Sequence, residues 1–172
     1  MYFLQSLFKT ALLASLAFTT LASPINKGLA EIEVRDTPPL PTVDECKDQL
    51  KDGDTLFYSG PSGYASKARQ AIKSRDYLEG YEILAQKWKD SNWQNQWQND
   101  EQASKDFFNI CSQALAEKAE GTAYVMLPSD TEGTDFHPNT VWTDFEWPHI
   151  PDGVKVIRIN PDDADDQETI KE

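Results

Sequence analysis

The stretch that most constrains the fold runs from Phe107 to Leu127. Phe107, Phe108, Cys111, Leu115 and Ala119 recur at helical spacing and form one apolar stripe. Gly121 stops that helix, expected over Phe107 to Glu120, and Thr122-Ala-Tyr-Val-Met-Leu127 follows as an apolar strand of the buried type. The rest of the chain repeats the alternation. Val43 to Leu50 has helical spacing ahead of Gly53. Thr55 to Tyr58 is a short strand, and Tyr64 to Lys73 carries Ala65, Ala68 and Ile72 on one helical face. Tyr77 to Glu79 reads as a short strand end, and Gly80 to Trp88 as a short helix with Ile83, Leu84 and Trp88 on one side. Asn99 or Asp100 suits the N-cap of the helix that follows. Val154 to Ile159 is a further strand, ended by Asn160-Pro161.

Strands alternating with helices predict an α/β domain over residues 43–160, with a small, mainly parallel sheet and flanking helices. Ligands of such sheets sit at the carboxyl ends of the strands. The loops after Tyr58 and Leu127 and the segment Val141-Trp-Thr-Asp-Phe-Glu146 converge on that edge.

The ends of the chain read differently. Residues 1–22 have the pattern of a secretory signal peptide: Lys9, the apolar run Ala11 to Phe18, then small residues at Thr20-Leu-Ala22. Residues 23–42 are polar and proline-bearing, a flexible leader. Residues 161–172 are an acidic tail expected to fray. The 172-residue chain has a formal net charge of −13, which disfavours binding of nucleic acid or anionic membrane through bulk charge. The two cysteines, Cys46 and Cys111, are expected to pair in an oxidising compartment outside the cell. They lack the close spacing of zinc ligands. His137 and His149 read as loop residues. No metal or cofactor is expected, and no membrane anchor.

Glu146 is the acid of most interest, because Trp142, Phe145 and Trp147 surround it in sequence. Aromatic neighbours exclude water, raise a carboxyl pKa, and suit chemistry that creates positive charge on a sugar. Glu79, between Leu78 and Gly80, is the second candidate acid. Tyr58, Phe108 and Trp142 are candidate stacking surfaces. Ser112 lies one helical turn after Phe108. Ser59 opens the turn-rich loop Ser59-Gly-Pro-Ser-Gly63, whose backbone N–H groups suit a phosphate, ahead of a helix bearing Lys67, Arg69, Lys73 and Arg75. That loop matches no nucleotide fingerprint, and no nucleophile elbow is present.

Several segments together resemble the ADP-ribosyl cyclases. They are Leu56-Phe-Tyr-Ser-Gly60, Leu78-Glu79, Phe107 to Gly121, Tyr124-Val-Met126, Val141 to Pro148, and Val154-Lys-Val-Ile157, in that order. The resemblance covers Leu56 to Asn160 and is to the C-terminal half of the family. It implies cleavage of the nicotinamide–ribose bond of NAD, which is the substrate. Glu146 falls on the family's catalytic glutamate, and Glu79 on the acid that contacts the nicotinamide amide. Tyr58 and Phe108 fall on the two stacking tryptophans, and Ser112 on a phosphate-contacting serine. Both tryptophans are thus replaced by other aromatics, and Gly80 stands where the family has aspartate. Two rival readings compete with NAD cleavage. One is a secreted, non-catalytic protein of the same fold that binds a sugar, nucleotide or protein. The other is a glycosidase using Glu79 and Glu146 as paired carboxylates.

Overall fold

The structure is a computed structural model that describes residues 37–172, so the expected signal peptide and most of the expected leader lie outside the described residues. One four-stranded sheet runs in the order β1 (Leu56–Tyr58), β2 (Thr122–Met126), β3 (Lys155–Ile159), β4 (Gln167–Lys171). The first three strands are parallel and β4 is antiparallel to β3. Among the described residues three α-helices accompany the sheet: α1 (Val43–Gln49), α2 (Tyr64–Ser74) and α3 (Glu101–Glu117). The expected α/β class with a mainly parallel sheet is the observed one.

The apolar character of β2 has a simple cause. Successive strand residues point to opposite faces, and both faces are covered. Tyr124 and Met126 pack with Leu56, Ile159 and the α2 residues Ala68 and Ala71. Ala123 and Val125 pack with Phe57, Val156 and the α3 residues Cys111 and Leu115. A strand buried on both sides cannot alternate polar with apolar residues. Cys46 and Cys111 form a disulfide that ties α1 to α3, with Cα atoms 5.3 Å apart.

Some boundaries differ from expectation. α3 begins at Glu101, where Asp100 caps it by accepting the Ala103 N–H at 2.9 Å. Its first turns, Glu101 to Asp106, are mostly polar and hide from an apolar-stripe argument. The helix also stops at Glu117, short of Glu120. Residues 77–79 are not strand: Asp76–Leu78 is a 3₁₀ turn. Gly80 to Trp88 is no helix beyond a 3₁₀ turn at Leu84–Gln86, because Glu82 bridges Thr55 and Trp88 bridges Leu50 as isolated β-pairs.

The expected fraying of residues 161–172 is also corrected. Residues 167–171 are β4, which pairs with β3 and is braced by Arg158. Arg158 is buried, and donates to Asp166 at 2.7 Å and to Glu168 at 3.2 Å. Asn160 donates to the other Asp166 oxygen at 2.9 Å. These bonds, the Asn160 contact foremost, hold the Asp166 carboxyl below its usual range. The acids look like a solvated run in sequence, yet two of them neutralise an inward cation. At the other end, the Trp97 indole donates to the Pro38 carbonyl at 3.1 Å, and Pro41 is buried.

Candidate functional site

The segment that carries Glu146 is helical rather than extended. Trp142–Glu146 is a π-helical turn in which the Trp147 N–H reaches back to the Trp142 carbonyl, and a 3₁₀ turn at Trp147–His149 follows. Its start is fixed by a reciprocal pair. The Thr140 N–H donates to Thr143 Oγ1 at 3.0 Å, and the Thr143 N–H donates to Thr140 Oγ1 at 3.2 Å. Asn139 enters the turn at φ 59°, a left-handed conformation that asparagine tolerates better than most residues. The turn directs Trp142 and Glu146 inward and leaves Asp144 exposed. π-Turns inside helical segments recur at functional sites because they re-aim side chains.

Glu146 is 5 % exposed, and its Oε2 has no hydrogen-bond partner among the described residues. Burial pushes its carboxyl up to about 8, with the nearby Ser112 hydroxyl of α3 acting in the opposite direction. Ser112 is itself buried. Tyr58, at the end of β1, has its phenol raised by burial first and then by the Glu146 charge, with Arg69 opposing. Ser112 and Glu146 are thus neighbours from two different elements, and Tyr58 of a third lies within reach of the Glu146 charge.

A cavity of about 820 Å³ opens at Tyr58, past the carboxyl ends of β1 and β2. Tyr58, Ser59, Leu127, Thr131, Phe136 and Trp142 contribute to its wall. Glu146 is set back from that wall and is not among its lining residues. Trp142 is fully buried, with its ring centroid 5.6 Å from Phe57 and 5.7 Å from Phe136. Phe136 also packs on Trp147 at 5.0 Å. Burial itself is the physical source of the raised Glu146 pKa.

Two expected site residues are not brought in. Glu79 is exposed and lies outside the cavity lining. The chain after it pairs with the start of the sheet: Glu82 bridges Thr55, and the Tyr81 hydroxyl donates to the Thr122 carbonyl at 3.1 Å. That is the amino edge of β1 and β2, whereas the cavity is at the carboxyl edge. Neither Glu79 nor Glu146 stands among the residues that line the cavity. Phe108 is 37 % exposed, stacks edge-on against Phe107 at 5.3 Å, and is also outside the cavity lining. The basic face of α2 is partly neutralised. Lys67 pairs with Asp162 at 2.7 Å, and Arg75 donates to the carbonyls of Asn160 and Pro161.

Conversely, Thr131, Phe136 and His137 line the cavity without having stood out in sequence. They lie in the Asp-, Gly- and Pro-rich loop between β2 and the π-turn, where composition signals only irregular backbone. His137 lies 3.2 Å from Asp130 at the exposed side of the cavity.

Two solved structures are similar in fold. One is an ADP ribosyl cyclase complexed with N1-cIDPR, at 15 % identity and a TM-score of 0.45, covering 65 % of this chain and 51 % of that one. The other is the Aplysia cyclase complexed with the substrate NGD and the product cGDPR, at 15 % identity and a TM-score of 0.44, covering 72 % and 55 %. The chain spans about half the length of these cyclases. No protein-family model matches it, and no curated protein matches it in sequence.

Proposed function

We propose that this protein is a secreted NAD glycohydrolase that cleaves the bond between nicotinamide and ribose. The observation that carries the reading is Glu146: a buried carboxyl with an unpartnered oxygen, beside a tyrosine and a tryptophan that line a cavity at the carboxyl edge of a parallel sheet. The chemistry fits such a group. The C1′–N bond breaks with its electron pair going to the pyridinium nitrogen, so nicotinamide leaves neutral and needs no acid. The ribose becomes an oxocarbenium-like cation. Ionised Glu146 stabilises that cation and hydrogen-bonds the ribose hydroxyls. Tyr58 flanks the pyridine, and the buried Trp142 helps to limit the entry of water. One water adds to C1′ and releases a proton, giving ADP-ribose. Attack by the adenine N1 instead gives cyclic ADP-ribose. Phe108 stands outside the cavity lining, so the site lacks one aromatic wall, and hydrolysis is the favoured outcome. The Cys46–Cys111 bridge fits an oxidising, extracellular compartment.

The test is incubation of the wild type and Glu146→Gln with NAD and its etheno analogue, with the products resolved by chromatography. The wild type should release nicotinamide and ADP-ribose. Glu146→Gln should keep NAD binding and lose at least ~100-fold in turnover, the scale of a removed electrostatic stabiliser. Near-equal turnover would reject the role of Glu146. NAD binding without any turnover in the wild type would favour a binding protein.

A further inference from the structure

Asp130, Thr131, Phe136 and His137 enter the cavity wall from one loop, the connection between β2 and the π-turn. Gly133 stands between the two pairs at φ 52°, in the left-handed region that glycine occupies without strain. Within the loop the hydrogen bonds are short-range. The Thr131 N–H donates to the Pro128 carbonyl at 3.0 Å, the Asp135 N–H donates to the Glu132 carbonyl at 3.0 Å, and His137 lies 3.2 Å from Asp130. One bond leaves the loop: the Gly133 N–H donates to Glu168 Oε2 of β4 at 3.0 Å. Among the described residues no other hydrogen bond ties residues 129–136 to anything beyond 128–137. Phe136, packed on Trp142 and Trp147, holds the far end of the loop by apolar contact.

The acceptor of that bond is itself pinned. The same Glu168 oxygen accepts from Arg158 Nε at 3.2 Å, and the buried Arg158 also donates to Asp166 at 2.7 Å. Arg158 belongs to β3 and sits opposite Val125 of β2, the strand from which the loop departs. A bond to a fixed, ionised carboxylate is stronger than one between neutral groups. Without it the loop occupies other positions as well. A ligand then binds only the fraction that is in place, and its apparent dissociation constant rises by the inverse of that fraction. We propose that Glu168 is a positioning residue: through the Gly133 N–H it fixes the loop wall of the cavity and so sets how tightly the cavity holds its substrate. The kinetic side of this inference rests on the NAD-cleaving reading above.

The experiment reads three quantities in the wild type and its variants: kcat and KM for NAD, amide hydrogen exchange of residues 129–137 without NAD, and the melting temperature. Glu168→Ala should raise KM roughly five- to tenfold, the size of one lost hydrogen bond. It should leave kcat at saturating NAD within about twofold of the wild type and speed exchange across the loop. Glu168→Gln should keep KM and exchange near wild type, because its one carbonyl oxygen can take both bonds. Glu168→Ala also leaves the buried Arg158 short of a carboxylate, so it should melt at a lower temperature. Adding Arg158→Met removes that charge and should recover the melting temperature, while KM and loop exchange stay raised. A return of KM and exchange to wild-type values together with the melting temperature would overturn the positioning role, as would a Glu168→Ala variant with both unchanged. If the wild type cleaves no NAD, the functional reading fails, and loop exchange in Glu168→Ala still decides whether Glu168 anchors the wall.

Discussion

Ser112 of α3 and Glu146 of the π-turn meet in the interior, and the serine hydroxyl counters the effect of burial on the carboxyl. The net result is still a carboxyl raised to about 8. A group that must be ionised to stabilise a cation is therefore mostly protonated in the free protein at neutral pH.

The first prediction concerns rate against pH. kcat/KM reports ionisations of the free enzyme. It should climb as pH rises through about 8, the pKa of Glu146, and then level off. Ser112→Ala removes the contact that favours the charged form, so the midpoint should move to higher pH. A profile that is flat from pH 6 to 9 would show that Glu146 does not govern the reaction.

The second concerns stability. The carboxyl ionises near 4.5 when unfolded and near 8 when folded. Below 4.5 both states hold the proton and burial carries no penalty from this source. As pH rises from 4.5 to 8 the unfolded state alone loses the proton, so the fold is progressively weakened. By pH 8 the loss is on the order of 3–5 kcal/mol, and it is constant beyond that. Glu146→Gln should accordingly raise the melting temperature most at pH 8 and very little near pH 4.5. Equal shifts at both values would contradict this linkage.

A third prediction tests the Cys46–Cys111 bridge, which closes a 65-residue separation in sequence. Replacing both cysteines with alanine should cost about 2–5 kcal/mol in urea denaturation. Wild type treated with reductant should move in the same direction. If reductant leaves the midpoint unchanged, the bridge is not formed in solution.

The last prediction concerns the C-terminal strand. Ending the chain at Pro161 strands the buried Arg158 without Asp166 and Glu168, and frees the Gly133 N–H from Glu168. An uncompensated buried charge is strongly destabilising, so the truncated chain should lose at least ~2 kcal/mol. Arg158→Met in the truncated chain should recover part of that loss. Wild-type stability after truncation would mean that β4 is dispensable.

Much of the fold was legible because burial on both faces leaves a mark in the sequence. β2 and β3 read as strands, and Cys111 and Leu115 marked the inward side of α3. β4 was not legible, because Gln167-Glu-Thr-Ile-Lys171 has few apolar residues and is held by its pairing with β3 and by the Arg158 side chain. Glu146 stood out by its aromatic neighbours in sequence, and two of these, Trp142 and Trp147, pack in the same aromatic cluster. Glu79 lies outside the cavity lining, and a short motif says nothing of where the fold will place it. Thr131 carried no local signal, since only the folded loop between β2 and the π-turn brings it to the cavity.

The bond from the Trp97 indole to the Pro38 carbonyl has a bearing on maturation. A peptidase that trims the amino terminus past Pro38 would remove the acceptor of that indole and uncover a tryptophan in the wall of the Trp88–Trp93–Phe107 cluster. Any form trimmed at its amino terminus should therefore begin ahead of Pro38, which N-terminal sequencing would reveal.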